Sequence, residues 1–271
     1  MHYNLFVIYM AGTMTHFKFI EDLNKKLKLE NYNLFLLAGQ GHDLLFFIKL
    51  YELQNFAKHK KIMNIIADNK FDKTIEIWQK EILKTKNKNL EILMYGYIAH
   101  HILDHYVHPY INKISNNFKK LNHETLESII DYILLNPYNY KFPKYKLNKD
   151  VKEELNKIFF ETYSIKNIGT FLNNGINNLT RFIKIYRLDK FGIKKETYKL
   201  IDGFLKNNKQ KYEFLAFRYN EEEIDFVKKN NLKEFNKLYN LALEESIKII
   251  KEIRKNINNK KITKINDISA I

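Results

Sequence analysis

The chain contains no cysteine, which excludes disulfides and thiolate metal sites, so any metal it binds is held by imidazole and carboxylate. Long apolar runs are also missing. Nothing approaches the roughly 20 residues of a membrane span, and the short run from Leu5 to Ala11 has no Lys or Arg before it, which makes it a poor secretory signal. The expectation is a soluble, cytoplasmic protein. Only three prolines and eight glycines interrupt 271 residues. Long stretches carry apolar residues at three- and four-residue spacing, and this predicts an all-α fold. A chain of this length buries a substantial core unaided, so metals are not needed as mere stabilisers.

Acidic residues are outnumbered: the formal net charge is +15. The positive charge is scattered along a chain rich in Lys, Asn and Ile, rather than gathered into a patch. It supports a mild attraction to anionic substrates and no specific nucleic-acid contact.

The periodicity predicts helices over Phe17 to Leu29, Asp72 to Leu83, Leu90 to His108, His123 to Leu135, Lys149 to Tyr163 and Ile168 to Tyr186. The clearest amphipathic helix is Leu232 to Ile257. Asn136-Pro137 and Pro143 mark the obvious loop. The expected organisation is one multi-helix globular domain over 1–271. Residues 1–135 form its metal-site half, 136–150 the loop, 151–258 the supporting helices and 259–271 a tail that frays. Phe171, Phe182 and Tyr186, at helical spacing, read as core rather than a base-stacking platform. Phe46-Phe47 is the candidate for peripheral membrane contact, although burial is the expected fate of both rings.

The histidines are unevenly placed. All nine (His2, His16, His42, His59, His100, His101, His105, His108 and His123) lie in the first half, and none follows His123. Four fall in the stretch AHHILDHYVHPYI, residues 99–111. Positions four apart on an α-helix lie nearly above one another, so His100, Asp104 and His108 form one stripe able to present ligands to a metal. Pro109 is expected to bend the chain beside His108. His101 and His105 form a second stripe about 100° round. The two stripes cannot face the same ion, and the second reads as core or as support for the ligands. A buried aspartate between two imidazoles is costly without a cation, which favours the first stripe as the metal-binding one. His123 and Glu127, on a helix with Asn122 as its expected cap, repeat the four-residue presentation. Upstream candidates are Asp43, in the glycine-rich Ala38-Gly39-Gln40-Gly41-His42-Asp43, and the isolated His16 and His59.

Thr15-His16, Gly41-His42-Asp43, His59, Gly96-Tyr97-Ile98-Ala99-His100 with Asp104 and His108-Pro109, and His123 with Glu127 together make the chain resemble the zinc-dependent phospholipases C and their relatives, the single-strand-specific zinc nucleases. The ligand order of that family is His, Asp, His, then His-x-x-x-Asp, His and His-x-x-x-Glu, and each member has a counterpart here in order. The resemblance implies an all-α fold and two or three zinc ions. One would be held by Asp43, His59, His100 and Asp104, a second by His108, His123 and Glu127, and a third by His16 and Asp104. Secreted members complete the third site with an N-terminal tryptophan. Here Met1 and His2 stand first, so either His2 or the Met1 amine substitutes, or that site stays empty. The step from Asp104 to His108 is four residues, slightly shorter than in the phospholipases.

The implied activity is phosphodiester hydrolysis on a phospholipid or other phosphate ester, with Asp43 as ligand and base for the attacking water. Two other readings compete. The adjacent His42-Asp43 suggests a His-Asp phosphohydrolase, in which His42 ligates and His123 and Glu127 are idle. The missing N-terminal tryptophan suggests a non-catalytic binding or scaffold protein stapled by zinc.

Overall fold

Nine α-helices, one 3-10 segment and no strand make up the regular structure of the described residues, which in this computed structural model are 12–47, 62, 65–66, 70–117, 123–135, 140–141, 143–187 and 221–265. In chain order they are α1 (Thr13–Leu27), α2 (Tyr32–Ala38), the 3-10 segment Gly41–Phe47, α3 (Phe71–Thr85), α4 (Lys88–Asn117) and α5 (His123–Leu134). Then come α6 (Lys149–Tyr163), α7 (Ile168–Arg187), α8 (Glu221–Asn230) and α9 (Leu232–Asn258). None of these helices is long and apolar enough to cross a membrane.

α4 is the central element. Leu90, Met94, Ile98, Ile102, Leu103 and Val107 are all fully buried and point in different directions round its axis. A helix apolar on all sides must be enclosed on all sides, and α1, α2, α3, α5, α6 and α9 all touch it. The outer helices have one apolar stripe each. In α9 the stripe Phe235, Tyr239, Ala242, Ser246, Ile249, Ile250, Ile253 and Ile257 is buried while the lysines between them face water. α6 starts where the Asn148 side chain accepts a hydrogen bond from the Val151 N–H, which satisfies one of the donors that a helix start leaves open.

Two expectations are corrected. α4 does not end at His108: it runs through Pro109 to Asn117. Proline removes only the bond to the His105 carbonyl, and Pro109 is exposed, so water can serve the freed group. Phe47, by contrast, is 2% exposed and belongs to the core, as expected. Residues 259–265 also differ from a fraying tail: Thr263 is buried, its N–H donates to the Gln79 Oε1 at 2.8 Å and its carbonyl accepts from the Gln79 side chain at 2.9 Å. Phe171 packs against the core. His2, His59, Asn122 and the side chains of Phe46, Phe182 and Tyr186 lie outside the described residues.

Candidate metal centre

The stripe on α4 is the spine of the site. His100 is fully buried, and its Nε2 lies 3.2 Å from the Asp104 Oδ2, while the His108 Nε2 lies 3.3 Å from the Asp104 Oδ1. α1 crosses this stripe and brings His16, whose Nε2 is 3.3 Å from the same Asp104 Oδ1 and whose ring stacks on that of His100 at 4.3 Å. The 3-10 segment brings Asp43. One of its carboxylate oxygens is 3.9 Å from the His16 Nε2 and the other 3.9 Å from the His100 Nε2. α5 brings His123 and Glu127, joined at 2.7 Å, and the Glu127 Oε1 lies 3.8 Å from the His108 Nδ1. His123 and His108 lie nearly parallel with ring centres 5.7 Å apart.

Seven of the eight candidate ligands, namely His16, Asp43, His100, Asp104, His108, His123 and Glu127, therefore meet in one buried network. The eighth, His59, lies outside the described residues. The network contains three groups whose ligand atoms are mutually close enough for one ion: His16, His100 and Asp104; His42, Asp43 and His100; and His108, His123 and Glu127. The last group is the second set implied by the resemblance, and the other two differ from the implied sets. His16 shares Asp104 with His100, and His42 stands beside Asp43.

The donors fit a metal. Both ring nitrogens of His16 and of His100, and the Asp104 Oδ1, are buried without a hydrogen-bond partner among the described residues. A buried polar atom left so is costly, and an ion in the space between them satisfies several at once. The electrostatics agree. Burial and the Asp104 and Glu127 charges push the Asp43 carboxyl well above the usual carboxylate range. Burial also raises Asp104, but the His100, His108 and His16 imidazoles override it and hold that carboxyl well below its ordinary value. Burial pushes His100 well below the usual imidazole range and His42 down to about 4, so both rings are neutral, with a lone pair free to ligate, at neutral pH.

The second stripe stays out of this network. His101 lies flat on Phe71 with ring centres 4.0 Å apart, and burial pushes it down to about 4. His105 meets the edge of Tyr106. Both serve as packing, as expected for that face.

One functional position was not read from the sequence. Asp131, 4% exposed, accepts hydrogen bonds from the Met14 N–H at 2.9 Å, the Thr15 N–H at 2.8 Å and the Thr15 hydroxyl at 2.6 Å. α1 has no capping side chain of its own, because Gly12 stands at the cap, and a Cβ on Gly12 would fall 2.1 Å from the Asp131 Oδ1. Asp131 therefore caps α1 from α5, and it fixes His16, one residue beyond Thr15, against the α4 stripe. The signal was present: His123, Glu127 and Asp131 follow one another at four-residue steps.

Asp131→Ala is expected to cost about 2 to 4 kcal/mol, from the lost cap and the stranded donors, which is roughly 5 to 15 °C in melting temperature. Burial pushes the Asp131 carboxyl up to about 6 from an ordinary value of 3.8. A carboxyl raised on folding contributes stability that is complete below about pH 4 and is lost as pH rises through about 6. The penalty of Asp131→Ala in metal-free protein should then be larger at pH 5 than at pH 7.5. Equal penalties at both values in thermal melts would contradict this account. No family model, characterised protein or solved structure matches the chain, so a reading of this centre rests on its own geometry and donor chemistry.

Proposed function

We propose that the chain is a zinc-dependent phosphodiester hydrolase, similar in kind to the phospholipases C and acting on a phospholipid or a related phosphate ester. The observation that carries the reading is the position of Asp104, which lies within 3.3 Å of imidazoles from both ends of the donor network. A carboxylate so placed can bridge two ions, and ions a few ångströms apart are the working unit of multi-metal phosphoester hydrolysis. His16, Asp43, His100 and Asp104 would hold one zinc, and His108, His123 and Glu127 another. Imidazole mixed with carboxylate suits zinc over magnesium or calcium, which take oxygen ligands.

Bound zinc would supply a water acidic near pH 7 and positive charge for the phosphate oxygens. The chain's own groups account for the rest. Asp43, beside His16 and His100, would accept the proton of the attacking water, the base role that the resemblance implies. The three carboxylates Asp43, Asp104 and Glu127 do not fully neutralise two divalent ions, so the loaded site keeps a positive charge that attracts a phosphodiester anion. His42, Asp104, His108 and Glu127 each keep 10 to 17% of their side-chain surface, whereas His16 and His100 keep 1% or less. Solvent and substrate thus reach the centre from the side of the first four.

The test is a screen of zinc-loaded protein against phospholipids and nucleotide phosphodiesters. Zinc-dependent cleavage of a phospholipid that chelator abolishes is the expected result, and pure, loaded protein inert on both classes would overturn the proposal. The proximity of His42, Asp43 and His100 favours the His-Asp phosphohydrolase as second reading. That reading leaves Glu127 idle, so loss of zinc in Glu127→Gln would dismiss it.

A further inference from the structure

We propose that His42 is itself a metal ligand, gripping one divalent ion together with its neighbour Asp43 and with His100. This rests on the metal-centre reading above and adds a donor that the resemblance does not supply. The local backbone sets the ring in place. Gly41 has φ +52, and a Cβ there would fall 2.3 Å from the His100 Cδ2. Only glycine adopts this conformation freely and also lets the main chain come so close to the His100 ring. The next side chain is thereby held edge-on to it, with ring centres 4.8 Å apart at 89°.

The distances leave room for an ion between these donors. The Nε2 atoms of His42 and His100 flank the same Asp43 oxygen at 3.8 and 3.9 Å, beyond hydrogen-bonding reach. Nitrogen and oxygen donors about 2.0 to 2.2 Å from a tetrahedral zinc lie about 3.4 Å from one another. The His42, Asp43 and His100 atoms thus frame a space close to that of an ion. The His100 Nε2, buried and unpartnered among the described residues, is the atom of that ring that stands beside Asp43. His101 supplies the contrast. It is equally close in sequence to the ligand stripe, yet its face is spent on Phe71.

Zinc affinity is to be measured by competition with a chromophoric chelator, on full-length protein first stripped of metal, for wild type, His42→Ala, His42→Gln and His101→Ala. The visible spectrum of the cobalt-substituted forms is recorded alongside. Both His42 variants should weaken one zinc by more than about 100-fold, beyond the loss typical of residues that only support ligands, and should shift the cobalt bands. His101→Ala should leave both readouts unchanged. The metal-free melting temperature shows which His42 variant is folded. Wild-type affinity and spectrum in a folded His42 variant, or a loss no larger than that of His101→Ala, would overturn the assignment of His42 while leaving the metal centre standing. Wild-type protein that takes up neither zinc nor cobalt would remove the centre itself.

Discussion

Asp104→Asn is expected to strip most of the zinc from the protein and to lower phosphodiester turnover by more than about 100-fold, beyond the range for outer residues of a metal site. The carboxylate is close to three imidazoles: the Oδ1 lies 3.3 Å from both His16 and His108, and the Oδ2 3.2 Å from His100. Asparagine keeps the shape but has no charge, and one of its two polar atoms is an NH2 that cannot ligate. On the proposed reading no carboxylate would then span two ions, and Asp43 and Glu127 alone would give too little negative charge to hold both. In the metal-free protein the repulsion of Asp43 by Asp104 and Glu127 is offset by the three imidazoles that hold the Asp104 carboxyl below its ordinary value, so the variant should lose some metal-free stability, and the metal-free melting temperature is to be recorded beside its zinc content. Elemental analysis at fixed added zinc, with initial rates on the same samples, reads both effects. A variant that retains the wild-type zinc content would show that Asp104 does not bridge.

The helices were legible wherever periodicity had room to show. Lys149–Tyr163 coincides with α6, and α7 and α9 each extend one residue past the expected end. α2 has 7 residues, too few for a 3.6-residue pattern to declare itself, and α8 opens with three glutamates and buries only Val227. Both were missed for lack of an apolar stripe. Of the site, the two ligand stripes were readable because each lies within one helix. What the sequence did not reveal is how separate elements meet. That His16 stacks on His100, that His42 turns toward Asp43, and that Asp131 caps a helix 116 residues upstream are products of tertiary packing around α4. The four-residue steps joining His123, Glu127 and Asp131 pointed only to a shared face, and nothing local identified the partner as the open N-terminus of α1.

Added zinc should raise the melting temperature of stripped protein by roughly 8 to 16 °C per site at a free concentration about 1,000 times the dissociation constant, because an ion that binds only the folded chain then contributes about 4.1 kcal/mol. What the ion relieves sets the dissociation constant. Without it, the folded state carries unpartnered buried nitrogens on His16 and His100 and the charge of Asp104 close to that of Asp43, costs that the unfolded chain avoids in water. Magnesium and calcium should give little shift, since neither favours imidazole. An equal shift with magnesium would mean that the carboxylates act alone and that the histidines are bystanders, which would sink the zinc assignment. Stability and turnover, read on the same samples, also divide the remaining functional readings. A zinc staple gives the shift with every coordination position filled by protein and no cleavage, whereas a hydrolase gives the shift and still admits a water beside Asp43. The 10 to 17% exposure of His42, Asp104, His108 and Glu127 argues for the second, because a centre with no substrate to admit has no reason to leave four of its donors within reach of solvent.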